Sequence, residues 1–486
     1  MISFILNEKE VTTALPPGMV FLDFVRYNQH LMGTKIGCRE GDCGACVVLT
    51  GELTGGKLIY RSMTSCLLPL GNLHGKHVVS IEGINLINDL NAIQRAMADE
   101  GASQCGFCTP GFVVSLAGFC LNEKNPSSEK AIAAIDGNIC RCTGYKSIER
   151  AAHKITGILA NKNGETTIPF LVSKKVLPEY FTNIESRLRE LQAKPVAKNS
   201  VPKADGEPPN KSSVAIPIGG GTDLYVQKHD QLVQGNANFI FNTRQLKSIH
   251  KNGNRCFIGP SATVTDLLES ELIRVAFPDF PQYARLISST PIRNMATIGG
   301  NFINASPIGD FTVFFLALNA MVELTKPNEV TGNKIRTLPL RNLYTGYKKL
   351  NRDDDEIITK ISFELPKAGS FFNFEKVSKR THLDIASVNT AMQLATQNDE
   401  IVHAGLSAGG VAPVPLYLQK TSEYLVGKLV SENLIEEAIT IMQTEISPIS
   451  DARGSKAYKR LLLTQLVRAH FMQWMKRKDN NILVES

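Results

Sequence analysis

The sequence predicts a multidomain α+β chain, and three observations carry that prediction. Its 486 residues exceed one ordinary domain. The apolar pattern changes from strand-like alternation to helical spacing near residue 87, and strands and helices then mix from about residue 214 onward. Nine of the ten cysteines fall within the first 142 residues, with Cys256 the exception. Ten cysteines in 486 residues are too sparse for a disulfide scaffold, and their clustering points to metal or redox chemistry.

The first block, residues 1 to 86, reads as short strands (ISFIL, CVVLT, KLIY, HVVSIEG) separated by glycine-rich turns. The second, 87 to 162, carries four helical patterns: AIQRAMADE, PGFVVSLAGFCL, SEKAIAAI and YKSIERAAHKITGILA, with Pro110 suited to a first helical turn. Residues 163 to 195 read as a connecting segment, and 193 to 213, rich in Pro, Lys, Asn and Ser, as an exposed linker. Residues 196 to 367 mix strands and helices around IPIGGGTDL. Residues 368 to 478 open with strand-like runs (SVNTAMQLA, EIVHAGLSAGG) and close with long helical patterns.

Composition narrows the function. The chain is 43% hydrophobic and 20% charged, and its net charge of +7 from 53 basic and 46 acidic residues is mild. No block of like charges forms a nucleic-acid arm. The start, MISFILNEKEV, lacks a basic segment followed by a long apolar stretch, and no window approaches the ~18 apolar residues of a membrane span. A cytoplasmic protein is expected.

Two cysteine constellations carry the chemistry. GCREGDCGAC and SCLLP place Cys38, Cys43, Cys46 and Cys66 as C-x4-C-x2-C, nineteen residues, then C. This is the plant-type ferredoxin spacing for a [2Fe–2S] cluster. Gly37, Gly41 and Gly44 allow such a loop to curl and aim amides at sulfur. The alternatives are a zinc site or buried free thiols. QCGFCTPGF and GNICRCTGY supply Cys105, Cys108, Cys140 and Cys142 as C-x2-C, thirty-one residues, C-x-C. Zinc satisfies this second spacing as readily as a cluster. Cys120 and Cys256 match neither set and read as packed apolar residues.

IPIGGGTDL also suggests close backbone approach to a phosphate, against the plainer reading of a tight turn. It is not a G-x-G-x-x-G motif.

These strings, in this order, resemble the molybdenum hydroxylases, the family of xanthine dehydrogenase and aldehyde oxidase. The resemblance implies a β-grasp [2Fe–2S] ferredoxin domain and a four-helix [2Fe–2S]-binding domain. A vanillyl-alcohol-oxidase/PCMH-type FAD domain and an α+β C-terminal flavoprotein domain would follow. It implies that the eight cysteines are metal ligands and that Gln104, before Cys105, contacts molybdopterin; a surface glutamine at a turn is the alternative. Family FAD contacts fall on Pro217, Ile218, Gly219, Gly220, Gly221, Thr222, Asp223 and Leu224, and on Thr297, Gly300, Asn301, Ser306 and Asp310. Asp310 could instead cap the apolar run FTVFFLAL. Lys376, in FEKVSKRTHLDIASV, matches a flavin-contacting lysine that would favour a reduced, anionic flavin; a plain surface lysine is the alternative. GGVAPVPL and SDARGSKAYKR extend the resemblance nearly to the end.

The function implied is that of an electron-transfer small subunit of the xanthine dehydrogenase type. A large molybdopterin-binding partner would perform the hydroxylation, and electrons would pass through two [2Fe–2S] clusters to FAD and then NAD. No catalytic residue is assigned to this chain. The equivalent subunit of an aldehyde- or N-heterocycle-oxidising enzyme, or a stand-alone iron–sulfur flavoprotein, are the other readings. THLD, residues 381 to 384, replaces a more acidic family stretch near the flavin and leaves the acceptor, NAD or another, open. Arg141 is expected to face outward or towards the partner.

Overall fold

A computed structural model describes residues 1–162, 164–194, 215–326, 333–367, 369–380 and 383–485, with side chains up to 478. The expected linker lies, from residue 195 on, outside the described residues, as do Thr381 and His382 of THLD. The chain divides into two compact units. One comprises Met1–Phe239 with Ser289–Ala296, the other Ile240–Ser288 with Thr297–Ser486.

The first unit begins with the expected strand, Ile2–Leu6. Its sheet has the order Lys9–Thr13, Ile2–Leu6, His77–Val79, Val47–Thr54, Lys57–Thr64. Only the Ile2–Leu6/His77–Val79 pair is parallel, so this is the mixed sheet of a β-grasp domain. Phe4 packs edge-on to Phe21 and Phe24, at 6.2 and 5.7 Å between ring centroids, and closes the sheet's far face. The long segment between the second and third strands in sequence leaves room for the loop that carries Cys38, Cys43 and Cys46.

Four helices follow: Ala92–Asp99, Thr109–Asn122, Ser128–Ala134 and Lys146–Ala160. Asn91 starts the first with a capping box, its side chain accepting from the Gln94 amide at 2.8 Å while Gln94 returns the bond at 3.0 Å. Thr109–Asn122 is buried from Gly111 through Cys120 without a break. A helix apolar all round belongs inside a core, and Leu116 and Phe112 there share one cluster with Leu49 and Val79 of the sheet. The β-rich and helical blocks therefore share a core.

Residues 163 to 195, expected only to connect, instead form helices Thr167–Ser173 and Ile184–Ala193. Phe170, Leu171 and Phe181 join that same core, and Ile184, Leu188 and Leu191 pack with Ile5. The apolar residues are too few per element to stand out by periodicity, yet these six are buried by tertiary contact.

Among the described residues the second unit holds two larger sheets and a two-stranded one, Tyr344–Gly346 with Lys349–Leu350. The first is antiparallel, in the order Lys334–Pro339, Met321–Lys326, Ile357–Glu364, Arg255–Ile258, Ile249–Asn252. The second is a meander of Phe371–Val377, Val388–Gln397, Glu400–Gly409 and Leu416–Tyr417. Helices Glu432–Glu445 and Lys456–Glu485 contribute to its core, as their helical pattern predicts. An aromatic cluster of Phe277, Phe314, Phe315, Phe363 and Phe372 joins the two sheets, with Phe314 and Phe372 only 4.5 Å apart.

Candidate iron–sulfur and flavin sites

The first cysteine set lies between the β-grasp loop and a single turn of 3-10 helix, Ser65–Leu67, that presents Cys66. Cys46 and Cys66 are buried, while Cys38 and Cys43 are half-buried. The thiols meet in pairs. Cys43 hydrogen-bonds Cys38 and draws its pKa down to about 5, and Cys66 likewise lowers Cys46. Backbone amides point at sulfur as expected: Glu40 N lies 3.3 Å from Cys38 Sγ, and Cys38 N lies 3.4 Å from Cys43 Sγ.

The second set is built by the helical block and lies nearer solvent. Cys105 and Cys142 are exposed, with 3.6 Å between their sulfurs. Cys140 is buried and Cys108 half-buried; burial, then the Cys140 thiol, pushes Cys108 up to about 12. The amides of Cys142 and Thr143 each approach Cys140 Sγ at 3.4 Å. Tyr145, at φ 71°, accepts from the Cys140 amide at 3.1 Å and so braces the C-x-C turn. Gln104 and Arg141 are exposed beside these thiols, and so is Phe107, at 47%.

Both donor sets fit a binuclear iron–sulfur cluster. Each offers four thiols arranged two by two, and each iron of a [2Fe–2S] cluster takes two terminal thiolates. Among the described residues, no group of three His, Cys, Asp or Glu side chains converges as a single-ion site. Cys120 and Cys256 are buried at 1% and 0% exposure, each pushed up to about 12 by burial, and behave as packed apolar residues.

The flavin-motif residues occur in both units. In the first, strand Ile216–Ile218 runs parallel to Ala237–Phe239 and ends in the glycine turn. A Cβ on Gly220 would lie 1.7 Å from the Met295 carbonyl oxygen, so only glycine permits this backbone approach. Asn72 Nδ2 donates to the Gly219 carbonyl at 2.9 Å. Helix Leu224–Gln234 starts directly after the turn, with Asp223 exposed at its head. A glycine turn feeding a helix N-terminus suits a phosphate group.

In the second unit, Thr297 caps helix Ile298–Asn304, accepting from the exposed Gly300 amide at 3.2 Å. Asn301 Oδ1 accepts from the Thr312 amide and hydroxyl, at 3.0 and 2.9 Å. Ser306 Oγ accepts from Ile308 N at 3.3 Å. Asp310 is the first residue of helix Asp310–Ala317 and makes no side-chain cap. Its carboxylate instead accepts from Lys376 Nζ at 2.9 Å and from Asn389 Nδ2 at 2.6 Å. Lys376 is no surface lysine. Its side chain is 2% exposed and also donates to the Leu286 carbonyl at 2.8 Å. Taken unit by unit, the chemistry suits parts of a flavin cofactor: a glycine turn for phosphate in the first, and hydroxyls with a fixed buried cation in the second.

A cavity of about 610 Å³ in the second unit, lined by Tyr283, Phe371 and Trp474 among others, contains none of these residues. Sequence reasoning missed Asn138, Tyr145, Asn389 and the Asp136–Arg293 ion pair (2.6 Å). The first two stand within GNICRCTGY, where only the cysteines carry a recognisable ligand spacing. The others pair across 79 and 157 residues and leave no local signal.

Four family models match the chain in series: "2Fe-2S iron-sulfur cluster binding domain" at 4–69, "[2Fe-2S] binding domain" at 80–153, "FAD binding domain in molybdopterin dehydrogenase" at 208–367, and "CO dehydrogenase flavoprotein C-terminal domain" at 374–474. Among curated relatives, xanthine dehydrogenase of Emericella nidulans is 30% identical over 88% of this chain and 35% of its own length. Xanthine dehydrogenase 1 of Arabidopsis thaliana is 27% identical over 97% of this chain and 39% of its own. Xanthine dehydrogenase/oxidase of Rattus norvegicus is 27% identical over 96% and 38%. The chain thus spans about two fifths of the length of these relatives. A chain of carbon monoxide dehydrogenase from Oligotropha carboxidovorans is 26% identical over 52% of this chain and 87% of its own, with a TM-score of 0.48. With iron–sulfur and flavin domains matched in sequence over most of its length, this chain belongs to the molybdenum hydroxylase family as an electron-transfer chain of [2Fe–2S] and FAD-binding domains.

Proposed function

We propose that the chain serves a molybdenum hydroxylase of the xanthine dehydrogenase type. It would take electrons from a molybdopterin-bound molybdenum centre held outside these 486 residues, on a partner subunit, and deliver them to NAD. When bound, the two clusters carry single electrons and FAD pools a pair. Cys38, Cys43, Cys46 and Cys66 hold one cluster; Cys105, Cys108, Cys140 and Cys142 hold the other.

The observation that carries this reading is the pairing of thiols two by two in both sets, the first without an exposed cysteine and the second with two, Cys105 and Cys142. The exposed set is suited to receive electrons from outside, with Gln104, Phe107 and Arg141 presented around it for a molybdopterin-bearing partner. Pro217 to Leu224, Thr297, Gly300, Asn301 and Ser306 hold the FAD chain. Asp310 fixes Lys376, whose ammonium stabilises negative charge on the reduced ring. The names of the relatives favour xanthine as substrate, and purine catabolism as the setting.

The test is composition followed by activity. Purified protein is expected to be coloured and to hold about four irons and one FAD per chain. A colourless preparation containing zinc, made in cells that assemble clusters, overturns the reading. Co-purification with a molybdenum-containing chain, and xanthine-dependent reduction of NAD in a substrate panel, support its finer part; activity only on aldehydes or other N-heterocycles contradicts that part.

A further inference from the structure

We infer that Asn138 is a positioning residue that sets the electronic contact between the two cysteine sets. The inference rests on the reading that both sets hold clusters. Asn138 is 6% exposed and carries no redox chemistry of its own. Its Nδ2 donates to the Gly44 carbonyl at 3.1 Å, inside the loop that bears Cys43 and Cys46. Its Oδ1 accepts from Ser115 Oγ at 2.8 Å, on the buried helix Thr109–Asn122 that begins just after Cys108. One carboxamide therefore ties the first set's loop to the second set's helix.

The backbone beside it makes the link chemically direct. Ile139 N donates to the Cys43 carbonyl at 3.0 Å, and the next residue is Cys140. Between a ligand of one set and a ligand of the other lie one hydrogen bond and the backbone of a single residue. Nothing can be inserted there. Gly44 has φ +67°, and a Cβ on it would lie 2.2 Å from the Gly137 carbonyl and 2.5 Å from Asn138 Nδ2. A Cβ on Gly111 would lie 2.3 Å from the Gly44 carbonyl.

Electron transfer through protein weakens steeply as a gap opens, and bonds conduct better than voids. In the step at issue one electron leaves the second set's cluster and arrives at the first's, with no proton moved and no bond made. Asn138 holds the Cys43–Ile139 bond closed while that occurs. The amide is specific: aspartate keeps the Ser115 bond but sets an acceptor against the Gly44 carbonyl, and alanine loses both.

The test uses the cluster-loaded chain. In the wild type, both reduced clusters are followed by electron paramagnetic resonance for their magnetic interaction. Their equilibration is timed after rapid one-electron reduction. Asn138→Asp and Asn138→Ala are expected to keep full iron and both midpoint potentials. Their magnetic interaction should weaken and equilibration should slow severalfold, because tunnelling falls with each ångström of added gap. Unchanged interaction and rate overturn the inference. If either variant loses iron, Ser115→Ala decides, since it only loosens the amide's aim. Slower equilibration at full iron supports the inference, and an unchanged rate overturns it. A wild type without two cluster signals is a different failure, that of the underlying reading.

Discussion

The two cysteine sets offer the same donors in opposite surroundings. The first is enclosed, with Cys46 and Cys66 buried beneath a β-grasp loop on a sheet whose core is complete. The second is presented, with Cys105 and Cys142 exposed in loops between helices and Phe107 and Tyr145 exposed near them in sequence. A chain holding one redox centre for itself would gain nothing by leaving the other at its surface. Under the proposed function, the difference would give the pair a direction: entry from outside at the helical block, passage inward at the sheet.

The largest expected effect breaks each half separately. Cys46→Ala and Cys142→Ala should each remove one cluster's signal and about half the iron, leaving the other cluster intact. Iron analysis with electron paramagnetic resonance checks this; loss of both signals in both variants would show that the sets are not independent sites. Next comes the flavin side. Lys376→Met leaves the Asp310 carboxylate buried with Asn389 alone, and should destabilise the second unit by about 3 kcal/mol and lower FAD content. Asp310→Asn with Lys376→Met should recover part of that stability, measured by urea unfolding.

A third effect sharpens the contrast in exposure. In cluster-free protein a thiol reagent should label Cys105 and Cys142 well before Cys46 and Cys66, as mapped by mass spectrometry of quenched samples. Equal rates would contradict the buried-versus-presented distinction. A last effect is shared by the two units. His77 in the first and His470 in the second are buried neutral, their pKa values lowered to about 3 by desolvation. A folded value below the unfolded one gives stability that is full above about pH 6.5 and lost as pH falls towards 3. Each histidine contributes up to about 1.4 kcal/mol per pH unit in that window. Unfolding midpoints at pH 7.5 and 5 measure it, and His470→Gln should reduce the difference.

What was legible in the sequence was what is local. Cluster spacing is set by how one loop can wrap around metal, so C-x4-C-x2-C and C-x-C reveal themselves within a dozen residues. The strand and helix runs of both ends, Pro110 included, follow from period and capping. Lys376 was equally placed between surface and site until burial and its bond to Asp310 were visible. Asn138 stood inside a quoted motif, but its partners Gly44 and Ser115 lie 94 and 23 residues away. Residues 163 to 195 read only as a connection because their apolar side chains are matched by a core built elsewhere. The reach of these contacts, and not any weakness in them, kept them out of view.

The most direct test of the account is a reductive titration of the purified chain followed by absorbance and electron paramagnetic resonance. Two [2Fe–2S] clusters and one FAD predict uptake of about four electrons per chain, with two distinct paramagnetic iron–sulfur signals and bleaching of a flavin band. Uptake of two electrons or fewer, or a single iron–sulfur signal at full metal content, would contradict it.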